Sequence, residues 1–177
     1  GGGARCEELA SGELFCCRFE GNAAKNDGGG ISVDGHSSLS LVSTFILANA
    51  ATNTGGGAHF AFNSSGLLQN CTIISNLASS AAGGAGVYPE DQSTVSIDSC
   101  IIRDNAIGGV AQSASNNVKV LYSCLQEPWA GPGNIVTNPM LDHATPGLLD
   151  GSPCIDAGNP SPGMDDALLP PGKGTRT

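Results

Sequence analysis

A repeat of roughly 27 residues organises residues 1–126 of this chain. Four segments share the form apolar-x-x-Asn, and steps of 27, 27 and 29 residues separate their asparagines, Asn22, Asn49, Asn76 and Asn105. A run of small residues rich in glycine follows each asparagine. Self-similarity at such a period is typical of solenoids, in which each repeat forms one coil and buries its apolar face against the next coil.

Within one repeat the apolar residues alternate and then change phase at a bend. Leu39 and Leu41 are followed by Thr44 and Ile46, which is the period of two that is typical of short β-strands. A repeat of this length has room for three short strands and three turns. The sequence therefore predicts an all-β, right-handed parallel β-helix of about five to six coils over residues 1–126. Leucine-rich repeats have a similar period, but the chain lacks the LxxLxLxxN run that they require.

Columns of equivalent side chains follow from this repeat. We expect the asparagines to form a structural ladder, in which each amide bonds to the next one and to the backbone of the turn. A second column should point inward, and a third, apolar column precedes it. The inward column contains Cys17, Thr44, Cys71, Cys100 and Cys124, and the apolar column contains Leu14, Leu41, Leu68, Ile97 and Leu121.

Two sets of motifs resemble known groups of proteins. The glycine runs combined with apolar-x-x-Asn resemble the repeats of polymorphic outer membrane proteins and related secreted β-helix proteins. The segments YSCLQ (residues 122–126) and SPCIDAG (residues 152–158) resemble the C-terminal end of choice-of-anchor Q bacterial surface proteins. The resemblance implies a β-helix at the cell surface or outside the cell and gives little guidance on activity. Such proteins usually continue beyond a segment like residues 170–177.

The repeat ends after Gln126, where prolines become frequent. This composition predicts an irregular closing segment over residues 127–177 that covers the last coil. Its expected apolar contacts are Trp129, Met140, Leu141, Leu148 and Leu149. No such cover is visible before the first coil, whose unpaired backbone groups need a neighbour. We expect that neighbour to be another copy of the chain or an earlier coil of a longer parent chain.

The charge of the chain excludes some partners. Sixteen acidic and seven basic side chains give a net charge of −9, which repels the phosphate backbone of nucleic acids. No apolar run approaches the roughly 18 residues that a membrane-spanning helix needs, and residues 1–5 lack the order of a signal peptide. We therefore expect neither nucleic-acid binding nor a membrane span.

Enzymes with this fold place several carboxylates in register on an exposed sheet. Asp98, Arg103 and Asp104 are the candidates here, and the repeat stacks none of them on another acid. Asp34 and Glu90 align only across Ala61. We therefore expect no catalytic site, with a polysaccharide lyase-like or hydrolase-like activity as the runner-up.

Metal and cofactor motifs are missing from the sequence. The histidines at positions 36, 59 and 143 are scattered, and no His or Cys pair has zinc-like spacing. Asp150, Asp165 and Asp166 fall in the closing segment, where turns and solvation explain acids and a calcium loop is the alternative. No phosphate loop or nucleotide fingerprint is present. We predict no metal and no cofactor.

Covalent modification is possible at cysteines and asparagines. The stacked cysteines should remain buried thiols, because parallel side-chain vectors do not suit a disulfide torsion. The pair expected to be oxidised, if any, is Cys6 with Cys16 or Cys17. Asn63 and Asn70 begin N-glycosylation sequons, and strand alternation sends Asn70 outward.

These observations favour an extracellular or cell-surface structural or adhesive β-helix, forming head-to-tail filaments with copies of itself. The alternative is a carbohydrate-active or glycan-binding module. Ice binding would need an outward threonine ladder, and Thr44, Thr72 and Thr94 share no column.

Overall fold

The computed structural model describes residues 1–80, 84–111, 117–142 and 147–160. These residues form seventeen short β-strands joined by tight bends, with no helix among them. The chain winds so that each coil lies against the preceding one, and we number the coils from the N-terminus.

The first three coils have four strands each. Coil 1 contains β1 (Ala4–Cys6), β2 (Ser11–Phe15), β3 (Arg18–Glu20) and β4 (Ala23–Ala24). Coil 2 contains β5 (Ile31–Val33), β6 (Ser38–Val42), β7 (Phe45–Leu47) and β8 (Ala50–Ala51). Coil 3 contains β9 (Ala58–Phe60), β10 (Ser65–Gln69), β11 (Thr72–Ile74) and β12 (Leu77–Ala78).

Coil 4 and the start of a fifth coil continue the winding. The described strands of coil 4 are β13 (Val87–Pro89), β14 (Thr94–Asp98) and β15 (Ile101–Arg103). The fifth coil contributes β16 (Asn117–Leu121) and β17 (Cys124–Leu125).

Equivalent strands of successive coils pair in parallel and form four sheets. Sheet A contains β1, β5, β9 and β13, and sheet B contains β2, β6, β10, β14 and β16. Sheet C contains β3, β7, β11, β15 and β17, and sheet D contains β4, β8 and β12. The predicted all-β parallel β-helix is therefore confirmed.

The coils are fewer than expected, and each has more strands. We predicted five to six coils of three strands, whereas the described structure has four coils and part of a fifth, with four strands in coils 1 to 3. The additional strands are those of sheet D, which have two residues each and are too short to show alternation. The predicted count was too high because steps of 27 to 29 residues leave room for only four coils and the start of a fifth within residues 1–126.

Columns of apolar side chains fill the interior. Ile46, Ile73 and Ile102 of sheet C are fully buried, and the strand register places them in one column. Leu41, Leu68 and Ile97 form the corresponding column of sheet B. Removal of these faces from water, coil against coil, supplies the main driving force for such a fold.

One interior contact combines a large residue with a glycine. Phe60 is the largest fully buried side chain, and its ring lies in front of Gly66, where a Cβ would be 2.5 Å from a ring carbon. Leu39 and Val95 occupy the positions equivalent to Gly66 in the adjacent coils. The glycine thus provides the space that the ring occupies.

The predicted register was wrong by one residue in the fifth coil. Val120 pairs with Ile97, where we expected Leu121, and Ser123 takes the place below Cys100 that we assigned to Cys124. A shift of one residue moves every side chain of a strand to the opposite face. Cys124 therefore lies in the outward column of sheet C, next to Ile101.

Each corner of the coil begins with a residue in the left-handed conformation. Gly21, Ala48, Ser75 and Asp104 precede the asparagines with φ between 50° and 65°. Residues 16, 43, 70, 99 and 122 precede the inward polar column with φ between 47° and 54°. This region costs an L-residue about 1–2 kcal/mol, so hydrogen bonds between coils must hold these bends in place.

The described part of the closing segment, residues 127–142 and 147–160, folds back over the outer face of sheet C. Ile135 bridges to Cys124 in parallel, and Leu141 bridges to Leu148. Leu141 is buried against Leu47 and Ile74, and Trp129 packs at the margin of the main core. The other three expected contacts, Met140, Leu148 and Leu149, are exposed.

In the described part of the chain, no helix combines the length and apolar character that crossing a bilayer would require.

Candidate functional site

The four predicted asparagines are stacked one above the other and hydrogen-bonded. Each side-chain amide donates to the side-chain oxygen of the next asparagine at 2.9–3.1 Å, from Asn22 through Asn49 and Asn76 to Asn105. The same oxygens accept the backbone N–H of the preceding asparagine at 2.9–3.0 Å. Gln126 ends the ladder by accepting from the backbone N–H of Asn105.

The glycine runs make room for this ladder. A Cβ at Gly30 would lie 2.6 Å from the carbonyl oxygen of Gly57 and 3.1 Å from the amide nitrogen of Asn49. At Gly57 the corresponding distances are 2.5 Å to the oxygen of Gly86 and 3.1 Å to the amide of Asn76. The two sequence motifs therefore meet across the interior, and glycine is required there by close backbone approach.

Two further polar ladders hold two other corners of the coil. In the inward column, Thr44 accepts the N–H of Cys17, Cys100 accepts that of Cys71, and Ser123 accepts that of Cys100. The second ladder was missed by sequence reasoning and consists of Ser37, Ser64 and Ser93, each accepting a backbone N–H from the previous coil at 3.2–3.3 Å. Its spacings of 27 and 29 residues match those of the asparagines.

The three candidate catalytic residues are found at the junction with the closing segment or at a corner. Asp98 is buried and accepts hydrogen bonds from the Asn159 amide at 2.8 Å and from the Ser99 hydroxyl at 3.0 Å. Arg103 donates to the carbonyl oxygens of Leu125 and Val136 at 2.7 and 2.9 Å. Asp104 is an exposed corner residue. Asp98 and Arg103 thus attach the closing segment to the coils.

The acidic residues that directly follow two strands of sheet A also have side-chain partners. Arg5 forms an ion pair with Asp34 at 3.1 Å, and His59 Nε2 lies 3.0 Å from a carboxylate oxygen of Glu90. The ring of Tyr88 stacks on His59 with centroids 6.0 Å apart. The sheet therefore separates Asp34 and Glu90 and gives each a different basic partner.

A cavity of about 250 Å³ lies between the closing segment and the corner where sheets B and C meet. Asn70 and Tyr122 belong to its coil side, and Cys154 and Asp156 belong to its closing-segment side. Cys124 also lines the cavity, since the register places its side chain outward. This junction is the candidate site, because it brings chemically reactive groups from separate parts of the chain together.

Cys124 and Cys154 both line this cavity, and each thiol shifts the pKa of the other. The Cys124 sulfur lies 3.2 Å from the carbonyl oxygen of Thr137. The interaction with the Cys124 thiol, with smaller effects of the Ser152 hydroxyl and the charge of Arg103, outweighs burial and lowers the pKa of Cys154 to about 7. The same interaction, together with burial, raises the pKa of Cys124. Sequence reasoning did not pair these two residues.

The other cysteines remain thiols in the structure. All seven are free, and the expected partners Cys6 and Cys17 instead contact the carbonyl oxygens of Ala10 and Phe15. The structure thus does not join Cys6 to Cys16 or Cys17. Burial raises the pKa of Cys100 well above its ordinary value, which keeps this interior thiol protonated.

The remaining predicted residues lie at the surface or outside the described residues. Asn63 and Asn70 are exposed corner residues with positive φ, and His36 is similarly placed. Asp150 is exposed in a turn. The residues at positions 143, 165 and 166 lie outside the described part of the chain, as does segment 170–177.

In a comparison with protein families, the right-handed β-helix region matches residues 3–138. The chain belongs to this family. Searches of curated proteins and of solved structures gave no significant match. Members of this family share a right-handed winding of the chain, and the family includes both enzymes and non-enzymes.

Proposed function

We propose that this right-handed β-helix is an extracellular, non-catalytic structural or adhesive module that extends by stacking on further coils. The proposal rests on the uncovered side of coil 1. Strands β1 to β4 have a paired neighbour on one side only. The interior residues Leu14 and Phe19 are half-buried, whereas their equivalents Leu41 and Ile46 in coil 2 are fully buried. A stacked coil would cover both the strand edges and these side chains.

The backbone of β2 supplies the groups for such stacking. The carbonyl of Ala10 accepts from Ser38, and the N–H of Cys16 donates to Val42, both toward coil 2. Backbone groups of a parallel strand alternate between its two neighbours. Those of Ser11, Glu13 and Phe15 therefore face the free side, where a second copy or an earlier coil of the parent chain would pair with them.

Substitution of Glu13 by proline tests this proposal. Glu13→Pro removes an N–H that faces the free edge and no bond to coil 2, whereas the control Glu13→Ala keeps the N–H and removes only the exposed side chain. We expect concentration-dependent rods of the wild type and of Glu13→Ala by electron microscopy and sedimentation velocity. Glu13→Pro should remain monomeric with an unchanged circular dichroism spectrum. A wild-type protein that stays monomeric at high concentration would contradict self-stacking.

Other features support a surface location. The motifs of the coils and of residues 122–126 and 152–158 resemble those of bacterial surface β-helix proteins. The sequons at Asn63 and Asn70 lie on exposed corners, where glycans could be attached. The net charge of −9 favours solubility and disfavours binding to nucleic acid.

A glycan-binding role is the second candidate, favoured by an open groove of about 580 Å³ on the outer face of sheet B. Hydroxyl groups line it in register, with Ser38 between Ser11 and Ser65 and Ser40 beside Glu13. Regularly spaced hydroxyls can bond to the hydroxyls of an extended polysaccharide. The groove lacks an aromatic side chain among its lining residues, so hydrogen bonds would provide the specificity.

Affinity electrophoresis in polysaccharide gels separates the two candidates. Under the glycan-binding hypothesis, Ser40→Leu should abolish any retardation of the protein. The control Ser96→Leu alters the same column of sheet B outside the groove and should leave the retardation unchanged. Wild-type protein that migrates without retardation in neutral and acidic polysaccharides would remove this candidate.

A further inference from the structure

Two pairs of cysteines lie near each other in this protein, and their surroundings differ. Cys71 and Cys100 are stacked one coil apart inside the solenoid, and both are buried. Their sulfurs point to the carbonyl oxygens of Gln69 and Asp98 at the same corner. This pair repeats the ladder geometry and has a structural role.

Cys124 and Cys154 come from separate parts of the chain. Cys124 lies on β17, whereas Cys154 lies in the closing segment, next to Ser152, whose hydroxyl is fixed by the carbonyl oxygen of Pro139 at 2.6 Å. Both cysteines line the cavity, and Cys154 is partly exposed to solvent whereas Cys124 is buried. The ladder constraint of parallel side-chain vectors does not apply here, because the two residues are not equivalent positions of adjacent coils.

We propose that Cys124 and Cys154 form a thiol–disulfide site, at which a low-molecular-weight disulfide is reduced while the closing segment becomes covalently linked to β17.

The reaction follows the usual two exchanges. The Cys154 thiolate attacks one sulfur of the small disulfide, its S–S bond breaks, and the first small thiol leaves with a proton from solvent. The Cys124 sulfur then loses its proton to solvent and attacks the Cys154 sulfur of the mixed disulfide, which releases the second small thiol. The protein loses two hydrogen atoms and two electron equivalents are transferred to the small disulfide. The roles follow from the environments, since Cys154 has the lowered pKa and Cys124 is the buried partner.

Peptide mapping provides a direct test, because lysine and arginine positions separate the cysteines. Trypsin should release residues 120–173 with Cys124 and Cys154, residues 26–103 with Cys71 and Cys100, and residues 6–18 with the other three. After treatment of the folded wild-type chain with oxidised glutathione, alkylation under denaturing conditions and digestion, fragment 120–173 should carry no alkyl group and be lighter by two hydrogen atoms. Two alkyl groups on that fragment would overturn the proposal.

Serine variants test the order of the two steps. Cys124→Ser should accumulate a glutathione adduct at position 154, because the resolving thiol is missing, whereas Cys154→Ser should accumulate little adduct at position 124. The exposed Cys16→Ser control should form the internal disulfide like the wild type. In the reduced wild type, alkylation of Cys154 should rise with pH through a midpoint near about 7. Equal adduct formation by both variants, with native circular dichroism spectra, would contradict the assigned roles.

Discussion

The coils and the closing segment are held together in different ways. In coils 1 to 4 a polar side chain bonds to its own equivalent in the next coil, as in the ladder from Asn22 to Asn105. The closing segment instead depends on contacts that occur once, such as Asp98 with Asn159 and Arg103 with Val136.

This difference determines how far a local change spreads. A ladder residue has partners above and below, so its removal affects two interfaces between coils. A closing-segment contact has one partner, and its loss should free that segment while the coils stay intact. The variants below test this distinction, beginning with the largest expected effect.

Asn76→Ala should be the most damaging ladder substitution. It removes the acceptor of the Asn49 backbone and side-chain N–H groups and the donor to the carbonyl of Ile46, all buried. Unsatisfied buried groups of this kind cost about 1–3 kcal/mol each, and we expect a loss of about 4 kcal/mol in the free energy of unfolding. Denaturant titration measures it. Asn22→Ala, at the half-buried end of the same ladder, should cost about 1 kcal/mol, and equal losses would refute the comparison.

Gly57→Ala should destabilise the coils through a clash. The new Cβ would lie 2.5 Å from the carbonyl oxygen of Gly86 and 3.1 Å from the amide nitrogen of Asn76, so backbone must shift at a cost of about 3 kcal/mol. Gly21→Ala is the control, because a Cβ there meets nothing within 4 Å and only the positive φ opposes it. We expect about 1 kcal/mol for the control. Thermal unfolding of both variants distinguishes steric crowding from backbone strain.

Arg103→Met should release the closing segment selectively. The change removes two charge-assisted hydrogen bonds to carbonyl oxygens, worth about 2 kcal/mol. Hydrogen-exchange mass spectrometry should show faster exchange in residues 127–160 and unchanged exchange in coils 2 and 3. Arg18→Met removes an exposed ion pair with Glu20 and should leave both regions unchanged. Faster exchange throughout the coils of Arg103→Met would mean that the two regions unfold together.

Ala48→Gly should stabilise the protein slightly. Ala48 is exposed at a corner with φ of 50°, and relief of this strain exceeds the added entropy of the unfolded chain by about 0.5 kcal/mol. Ala50→Gly, two residues later in β8, has no such strain to relieve and should destabilise by about 0.5 kcal/mol. Chemical denaturation of the pair checks the sign of each effect.

The sequence predicted the coil region well because its contacts repeat. The asparagine ladder was visible as one polar residue type at steps of 27, 27 and 29 residues. The serine ladder has the same steps, but serine is common in this chain, and we did not detect it. The alignment failed at Cys124 because the last step is 23 residues and because serine occupies the position where earlier coils have cysteine or threonine.

The sequence contained no comparable signal for the junction. Asp98 and Asn159 are separated by 61 residues, and neither belongs to a repeated pattern that includes the other. The same holds for Cys124 and Cys154, which we assigned to the inward column of the coils and to the closing segment, respectively. The space that Gly66 gives to Phe60 was also unpredictable, since the two residues occupy different columns.

The winding of this protein was determined by its sequence alone, since in a solenoid the partner of a residue is its own counterpart one period later. The surroundings of the two reactive thiols, the burial of Asp98 and the cavity beside them were decided by the tertiary structure. The physical reason is that a contact between segments of different character leaves no periodic trace, and only the folded path of the chain determines which groups meet.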